Sequence, residues 1–460
     1  MRTSDEQNAP RHTQVSPTAA ETTHVRYSIL AMLFLASTFS YGDRVVLSIA
    51  SADLSRDLHL NPLRLGYLLS GFGWAYAVAQ LPAGGLLDRF GSKLVYGVSI
   101  ICWSIIAVLA GLTGYLNAIA AFYFLLFLRL VSGLAQSPVF PGNGRIVAAW
   151  FPTSERGRAS AIFNSSQYFS LVFFAPIMGW IAHRWGWKQC FWFAGLVGLA
   201  LAMVWFKVIH GVKVHPRISQ SEINYIESGG GLASLDTNSQ RNRFTLTWSS
   251  VRWLLGRRML VGIYLGQYCI TTLTWFFLTW FPIYLAQSRH ISIMKVGFLS
   301  ALPGLCGFAG GILGGVVSDR LLHAGRSLTV ARKVPIVAGM LLAMTIVGCN
   351  YVNTSFAVMV LMSIAFFGKG FGALGWPVIS DTSPKSLIGL NGGLFNLIGN
   401  LAGVTTPIVI GWIVNRTGSF HYALVYVGAT ALLAIIAYLP IVGEITRLEV
   451  PAASLSDINV

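Results

Sequence analysis

Charge is what this sequence has least of. Only 10% of its 460 residues are Asp, Glu, Lys or Arg, while 54% are hydrophobic. A soluble domain carries about 25% charged residues, so most of this surface is not built for water. Mean hydropathy is +0.64. Acidic residues are scarcer still: 16 Asp and Glu stand against 32 Lys and Arg, a net charge of +16. In a soluble chain that excess would suggest nucleic acid. Here the basic residues sit mainly in short loops between apolar runs, the pattern that orients a membrane protein. No nucleic-acid partner is expected.

Paired cysteines are also missing. Cys102, Cys190, Cys269, Cys306 and Cys349 lie in or at the ends of apolar segments, and none forms C-x-x-C. A disulfide framework or thiolate metal site is therefore not expected, and the five read as small packing residues. There is no zinc spacing and no nucleophile elbow. Gly229-Gly230-Gly231 lacks the Gly-Lys-Ser/Thr ending of a phosphate loop; it reads as a flexible linker, and ATP-driven transport is not expected. No enzyme, cofactor or metal is anticipated. Residues 1–26 are polar with no apolar core, which reads as a disordered tail and not a signal peptide.

What is present is a series of long apolar runs, near 27–50, 64–87, 93–114, 118–141, 158–182 and 189–209, then 260–286, 294–321, 330–350, 355–380, 386–414 and 420–443. Each has about the 20 residues that cross a bilayer. The expected architecture is an all-α membrane protein of twelve transmembrane helices. An N-terminal six-helix bundle (27–209) and a C-terminal one (259–443) flank a polar central loop (210–258), with tails at 1–26 and 444–460. The tails and the loops after even-numbered runs hold 22 Lys and Arg, the loops after odd-numbered runs 7, and the runs themselves 3. The richer side is expected to be cytoplasmic.

The two halves repeat. Gly84 leads to Asp88-Arg89 as Gly315 leads to Asp319-Arg320, an offset of 231. Phe163-Asn164 with Pro176, Gly179 and Trp180 is echoed by Phe395-Asn396 with Pro407, Gly411 and Trp412. Parallel repeats of this kind place a substrate site between the halves near the bilayer midplane. The charges of Gly84-x-x-x-Asp88-Arg89-x-Gly91-x-Lys93, repeated in Asp319-Arg320, read as a conformational latch between helix ends.

Four ionisable residues lie well inside apolar runs: Asp43, Arg44, Arg129 and Lys369. Each costs about 2.5–3.5 kcal/mol at a helix centre and so needs a cavity or a partner. Asp43 and Arg44 are neighbours about 100° apart on one helix and address different partners. Arg44 suits a carboxylate through its bidentate fork; Asp43 suits proton coupling. Arg129, with Gln136 seven residues on, reads as the partner that senses Asp43. The competing reading is a static ion-pair network. Lys369 adds a second cation in the opposite half, which fits a ligand with two carboxylates, unless its stem only snorkels to an interface. Trp376, seven residues later, shares its face. Tyr41, Tyr76, Gln167, Gln267 and Asn396 are polar groups in apolar runs, suited either to a polyhydroxylated ligand or to interhelical hydrogen bonds.

The repeated Gly…Asp-Arg motif resembles the loop signature of the major facilitator superfamily. Residues 141–169 (PGNGRIVAAWFPTSERGRASAIFNSSQYF), 264–285 (YLGQYCITTLTWFFLTWFPIYL), 366–385 (FFGKGFGALGWPVISDTSPK) and 392–413 (GGLFNLIGNLAGVTTPIVIGWI) resemble its anion:cation symporters. Among these the bacterial glucarate/galactarate transporters are nearer than the D-galactonate transporter. The resemblance implies proton-coupled uptake of a sugar acid through the bacterial inner membrane. It implies Arg44 as carboxylate ligand, Asp43 as protonation site, and Tyr76, Gln167, Gln267, Trp376 and Asn396 as pocket residues. Lys369 matches the diacid transporters, whereas the monoacid transporter has Asn there. One position departs: relatives read Gly-x-x-Glu-x-Pro where this chain reads Gly133-Leu134-Ala135-Gln136-Ser137-Pro138. Fewer coupled protons, an introduced residue, or transport without protons would each account for it. The expected protein is a monomeric secondary transporter importing an aldarate by proton symport and alternating access. An aldonate, hexuronate or aromatic carboxylate carrier, or a non-transporting sensor, are the alternatives.

Overall fold

Long apolar stretches with polar caps become helices throughout the computed structural model, which describes residues 23–235, 248–384 and 387–449, the side chains of Leu81 and Ile388 excepted. Most of the two tails and loop residues 236–247 lie outside the described residues. The first half comprises α1 (Val25–Asp57), α2 (Pro62–Phe90), α3 (Ser92–Leu112), α4 (Ala118–Gln136), α5 (Val139–Trp150), α6 (Arg156–Trp185) and α7 (Trp187–Val208). Two short helices follow in the central loop, α8 (Gln220–Ser228) and α9 (Trp248–Leu255). Next come α10 (Arg258–Trp275), α11 (Phe281–Ser288), α12 (Ile293–His323), α13 (Leu328–Ala343) and α14 (Ser355–Phe371). α15 (Gly375–Thr382), α16 (Ile388–Asn400), α17 (Ala402–Thr417) and α18 (His421–Ile436) complete the chain.

The starts are chemically marked. Asn61 and Asn117 accept from Arg64 N and Ala120 N at the heads of α2 and α4, and Ser327 and Thr354 do the same for α13 and α14. Each N-cap satisfies a backbone donor that the helix itself leaves orphaned. Among the described residues, ten helical stretches are long and apolar enough to cross a membrane. Two of the expected runs, now α2 and α6, are equally long but fall outside that set. Val78, Ile119, Leu196 and Met203 stand out from the surface, each more than 60% exposed, as a lipid-facing surface requires and a water-facing one does not.

The central loop corrects an expectation. Gly229-Gly230-Gly231 is not a slack linker but the folded end of α8. Gly229 N and Gly231 N donate to Tyr225 O and Ile226 O, Leu232 N reaches Ala148 O, and Thr153 N reaches Gly229 O. Gly230 carries φ +82°, a left-handed conformation that glycine adopts at little cost. The Glu222 side chain is fully buried and accepts from Thr23 Oγ1, Val25 N, Arg26 N and Arg26 Nη1. Residues 23–26, expected in the tail, are therefore tied to α8, and α1 starts two residues earlier than the apolar run.

The halves touch along two seams of small residues. On one, a Cβ built at Gly66 would stand 2.6 Å from Pro407 O, and one at Gly73 2.7 Å from Gly403 O. On the other, a Cβ at Gly297 would meet Ala175 O at 2.5 Å, and one at Gly304 Tyr168 O at 3.2 Å. Backbones approach this closely only where no side chain intervenes. Toward the other ends of α2 and α12, Gly84, Gly85 and Gly315 have nothing within 4 Å of a built Cβ, and neither has Gly393 of α16.

Candidate functional site

The ionisable residues of α1 and α4 meet. Arg129, Ser132 and Gln136 recur at the i, i+3, i+7 spacing of one helical face, and all three reach Asp43. Arg129 Nη1 donates to Asp43 Oδ2 at 2.8 Å, Gln136 Nε2 at 3.3 Å and Ser132 Oγ at 3.5 Å. Asp43 and Arg129 are 9% and 5% exposed, and Gln136 is fully buried. A buried carboxylate with one cation and two neutral donors is well satisfied. Ser40, one turn before Asp43, donates to Gln136 Oε1 at 2.8 Å. Ser40 and Ser132 were not singled out from the sequence; their spacing from Asp43 and Arg129 was the only available signal.

Arg44 turns the other way and pairs with no carboxylate among the described residues. Its guanidinium lies over Tyr41, Phe72 and Trp275 at 4.6, 4.5 and 5.2 Å from the ring centroids, with Tyr76 at 5.6 Å. Its Nε is buried without a hydrogen-bond partner. Trp275 comes from the second half, at the point where α10 runs into a π-helical turn, Phe276–Trp280; such turns are commonly found at functional sites. Beside Arg44 a small cleft opens, walled by Ser40, Tyr41, Tyr76, Asn143 and Ser166 among others, and all its lining residues lie between Ser37 and Ser166.

Of the anticipated ligand residues, Arg44, Tyr41 and Tyr76 line this cleft; Gln167, Gln267, Lys369, Trp376 and Asn396 do not. Lys369 is 3% exposed, and its Nζ donates to Gln167 Oε1 at 3.2 Å and Tyr168 OH at 3.1 Å. Both partners are neutral, and no carboxylate pairs with Lys369 among the described residues. Gln267 donates to Thr271 Oγ1 at 3.3 Å. Asn396 donates across the halves to Gln80 Oε1 at 2.6 Å, and Trp376 stacks on Phe140, a cleft residue, with centroids 5.7 Å apart. These two contacts bridge the halves on the side where the seams end.

The anticipated latch residues are spread over several partners. Asp88 pairs with Arg145 of α5, within the first half. Arg89 rests over the Phe90 ring at 5.2 Å, and the Lys93 carbonyl accepts from Trp205 Nε1. The Asp319 carbonyl accepts from His323 Nδ1, and among the described residues no cation pairs with the Asp319 side chain and no carboxylate with that of Arg320. Gly84 stands in open space. Arg145 is not part of the repeated motif, so motif spacing alone did not reveal it.

Among the described residues, helices of bilayer length hold two buried cations, Arg44 and Lys369, that pair with no carboxylate, an arrangement suited to an anionic ligand. The pattern of the Major Facilitator Superfamily matches residues 33–403, and the chain belongs to that family. It is 54% identical over 429 residues to a probable galactarate/D-glucarate transporter of Bacillus subtilis (strain 168), covering 93% of this chain and 94% of that protein. A probable galactarate/D-glucarate transporter of Escherichia coli (strain K12) is 50% identical over 438 residues, covering 95% and 97%. Among solved structures a D-xylose-proton symporter superposes with TM-score 0.70 at 15% identity, over 91% of this chain and 98% of that one. The protein is thus a membrane-spanning transporter, not an enzyme.

Proposed function

We propose that the chain imports a sugar-acid dianion, galactarate or D-glucarate, with protons. The observation that carries this is Arg44: a buried guanidinium with an unbonded Nε, no carboxylate partner among the described residues, an aromatic enclosure and a cleft at its side. A cation left unpaired in a dry setting is costly unless an anion joins it. Lys369, buried against neutral partners, supplies a second such charge from the other half. Two cations without counter-ions suit two carboxylates. The names of the 54% and 50% identical relatives agree with that chemistry.

In this reading Arg44 takes one carboxylate, and Tyr41 and Tyr76 take hydroxyls in the cleft. Closure of the halves brings Lys369, Gln167, Gln267, Trp376 and Asn396 to the far end of the ligand. Asp43 carries the proton and Arg129 senses its charge, with Gln136 unable to carry a second. With one proton per dianion the cycle moves net negative charge against the membrane potential, at about 2.3 kcal/mol per charge per 100 mV.

The reading includes twelve membrane spans in two bundles, 27–209 and 259–443, related by a pseudo-two-fold axis. Seam contacts support it. Gly66 meets Gly411 while Gly297, its counterpart 231 residues on, meets Gly179, the counterpart of Gly411. Reciprocal contact of this sort is what a two-fold axis imposes. Ser48 also donates to the carbonyl of its own counterpart, Thr279. The excess of basic residues in the loops on one side supports both tails lying in the cytoplasm, with the chain in the bacterial inner membrane. The seams then seal the outer face, and the alternating-access cycle is at its inward-facing stage. The unit is a monomer.

Counterflow in proteoliposomes against a panel of labelled diacids, aldonates and hexuronates tests the assignment. Exchange of galactarate or D-glucarate in preference to monoacids is the expected result. Exchange of a monoacid alone would transfer the assignment to an aldonate or hexuronate carrier, and no exchange at all would favour a sensor.

A further inference from the structure

The hydrogen bonds around Gln136 have a fixed direction. An ionised carboxylate only accepts, so the Gln136 amide must turn its NH2 to Asp43 Oδ2, 3.3 Å away, and its oxygen to Ser40 Oγ, 2.8 Å away. Ser40 is thereby held as a donor to Gln136. It is also part of the cleft wall, and with its hydrogen committed it offers the cleft only lone pairs.

A proton placed on Asp43 Oδ2, the oxygen that Gln136 contacts, would reverse each link. The new O–H donates to an amide oxygen, so the Gln136 side chain turns over. Its NH2 then faces Ser40, and Ser132, which now accepts from Gln136 Nε2 at 3.1 Å, donates instead. The Ser40 hydrogen is released to point into the cleft. We propose that Ser40 is a ligand-contacting relay. While Asp43 is ionised it has no hydrogen to offer a ligand carboxylate, and once Asp43 carries a proton it donates to a carboxylate oxygen. A carboxyl side chain at 136 would take a proton itself; an amide can only pass the change along.

The surroundings leave Asp43 as the group that sets the relay. Arg129 faces it from α4, Arg44 and Tyr41 neighbour it on α1, and Tyr76 stands on α2 beside Arg44. Lys369 of α14 is engaged by Gln167 and Tyr168. Among the described residues no ionisable side chain of α5, α6 or α10 bonds to Asp43. The inference rests on the reading that a sugar acid occupies the cleft and that Asp43 changes its protonation.

The test is D-glucarate binding to the purified full-length protein by calorimetry between about pH 5 and pH 8. The wild type is expected to bind more tightly at the acid end. Ser40→Ala should reduce the ratio of affinities at the two ends by about fivefold, the worth of one hydrogen bond. Ser40→Thr, which keeps the hydroxyl, should preserve the ratio, and Gln136→Leu should lose it. Retention of the wild-type ratio by Ser40→Ala, whatever its affinity, would overturn the relay alone. A wild type that binds no sugar acid at any pH overturns the transport reading and the relay together.

Discussion

Adding one methyl group at Gly297 should change which end of the protein is open. A Cβ there stands 2.5 Å from the Ala175 carbonyl oxygen and 3.0 Å from Gly179 Cα. The first must grow by about 0.9 Å to reach ordinary contact at 3.4 Å. The opposing atoms are backbone of α6, so no side chain can swing aside. Overpacking of a fitted interface costs about 1–3 kcal/mol, and the cost falls only on the conformation in which the seam is closed. A bias of that size shifts a two-state ratio about 5- to 150-fold. Gly85→Ala is the matched control, because nothing lies within 4 Å of its built Cβ; there alanine only improves helix propensity, by about 0.5–1 kcal/mol. Spin labels at Arg184 and Lys295, exposed at the ends of α6 and α12 that flank this seam, after replacement of the native cysteines, would report it by electron–electron distance. Gly297→Ala should move the main population to a longer distance, and Gly85→Ala should leave it in place. An unchanged distribution in Gly297→Ala would refute the argument that backbone contact holds this end shut.

Three further outcomes follow from the site and the central loop. Lys369→Asn should lower diacid uptake about 10- to 100-fold, the worth of a hydrogen bond to a charged group, while sparing a monoacid; parallel uptake of the two ligands checks it. Gln136→Glu should raise the proton-to-substrate ratio, read from the reversal potential in proteoliposomes, and a wild-type ratio of two or more would already contradict the single-carboxylate scheme. Glu222→Ala leaves Arg26 with Glu155 as its remaining carboxylate partner and takes the acceptor from three other donors, so thermal unfolding should register a loss of about 1–3 kcal/mol.

The helices were legible because apolar runs of bilayer length leave little choice of structure. The breaks within them were less so. α4 ends at Gln136 and α5 restarts at Val139 around Ser137-Pro138, where proline forbids the continuing hydrogen bond, yet the run reads as one. Asp43, Arg129 and Gln136 stood out because a charge or amide in an apolar run requires a partner, and the partners proved to be each other. Ser40, Ser132 and Asn143 did not stand out. Serine in a membrane helix commonly bonds to its own backbone, as Ser99 and Ser104 do here, so its presence says nothing until the neighbouring helix is placed. Trp275 was hidden for the same reason: only the π turn and the approach of the second half set it over Arg44. The three glycines misled because a tight turn and a slack linker use the same residue. Burial of Ile226 and Glu222 beside them decides the matter, and burial is a property of the fold.

The glycine seams have an electrical consequence. From Gly66 to Gly73 the two backbones run in contact for about 10 Å along the helix axis, leaving no thickness for water or ions. A membrane voltage falls mainly across whatever insulates, so it concentrates on that stretch. In the inward-facing state proposed above, a solute entering from the opposite side would reach Arg44 having crossed little of the field. On that proposal, voltage would act on the opening of the seams and leave ligand capture almost untouched.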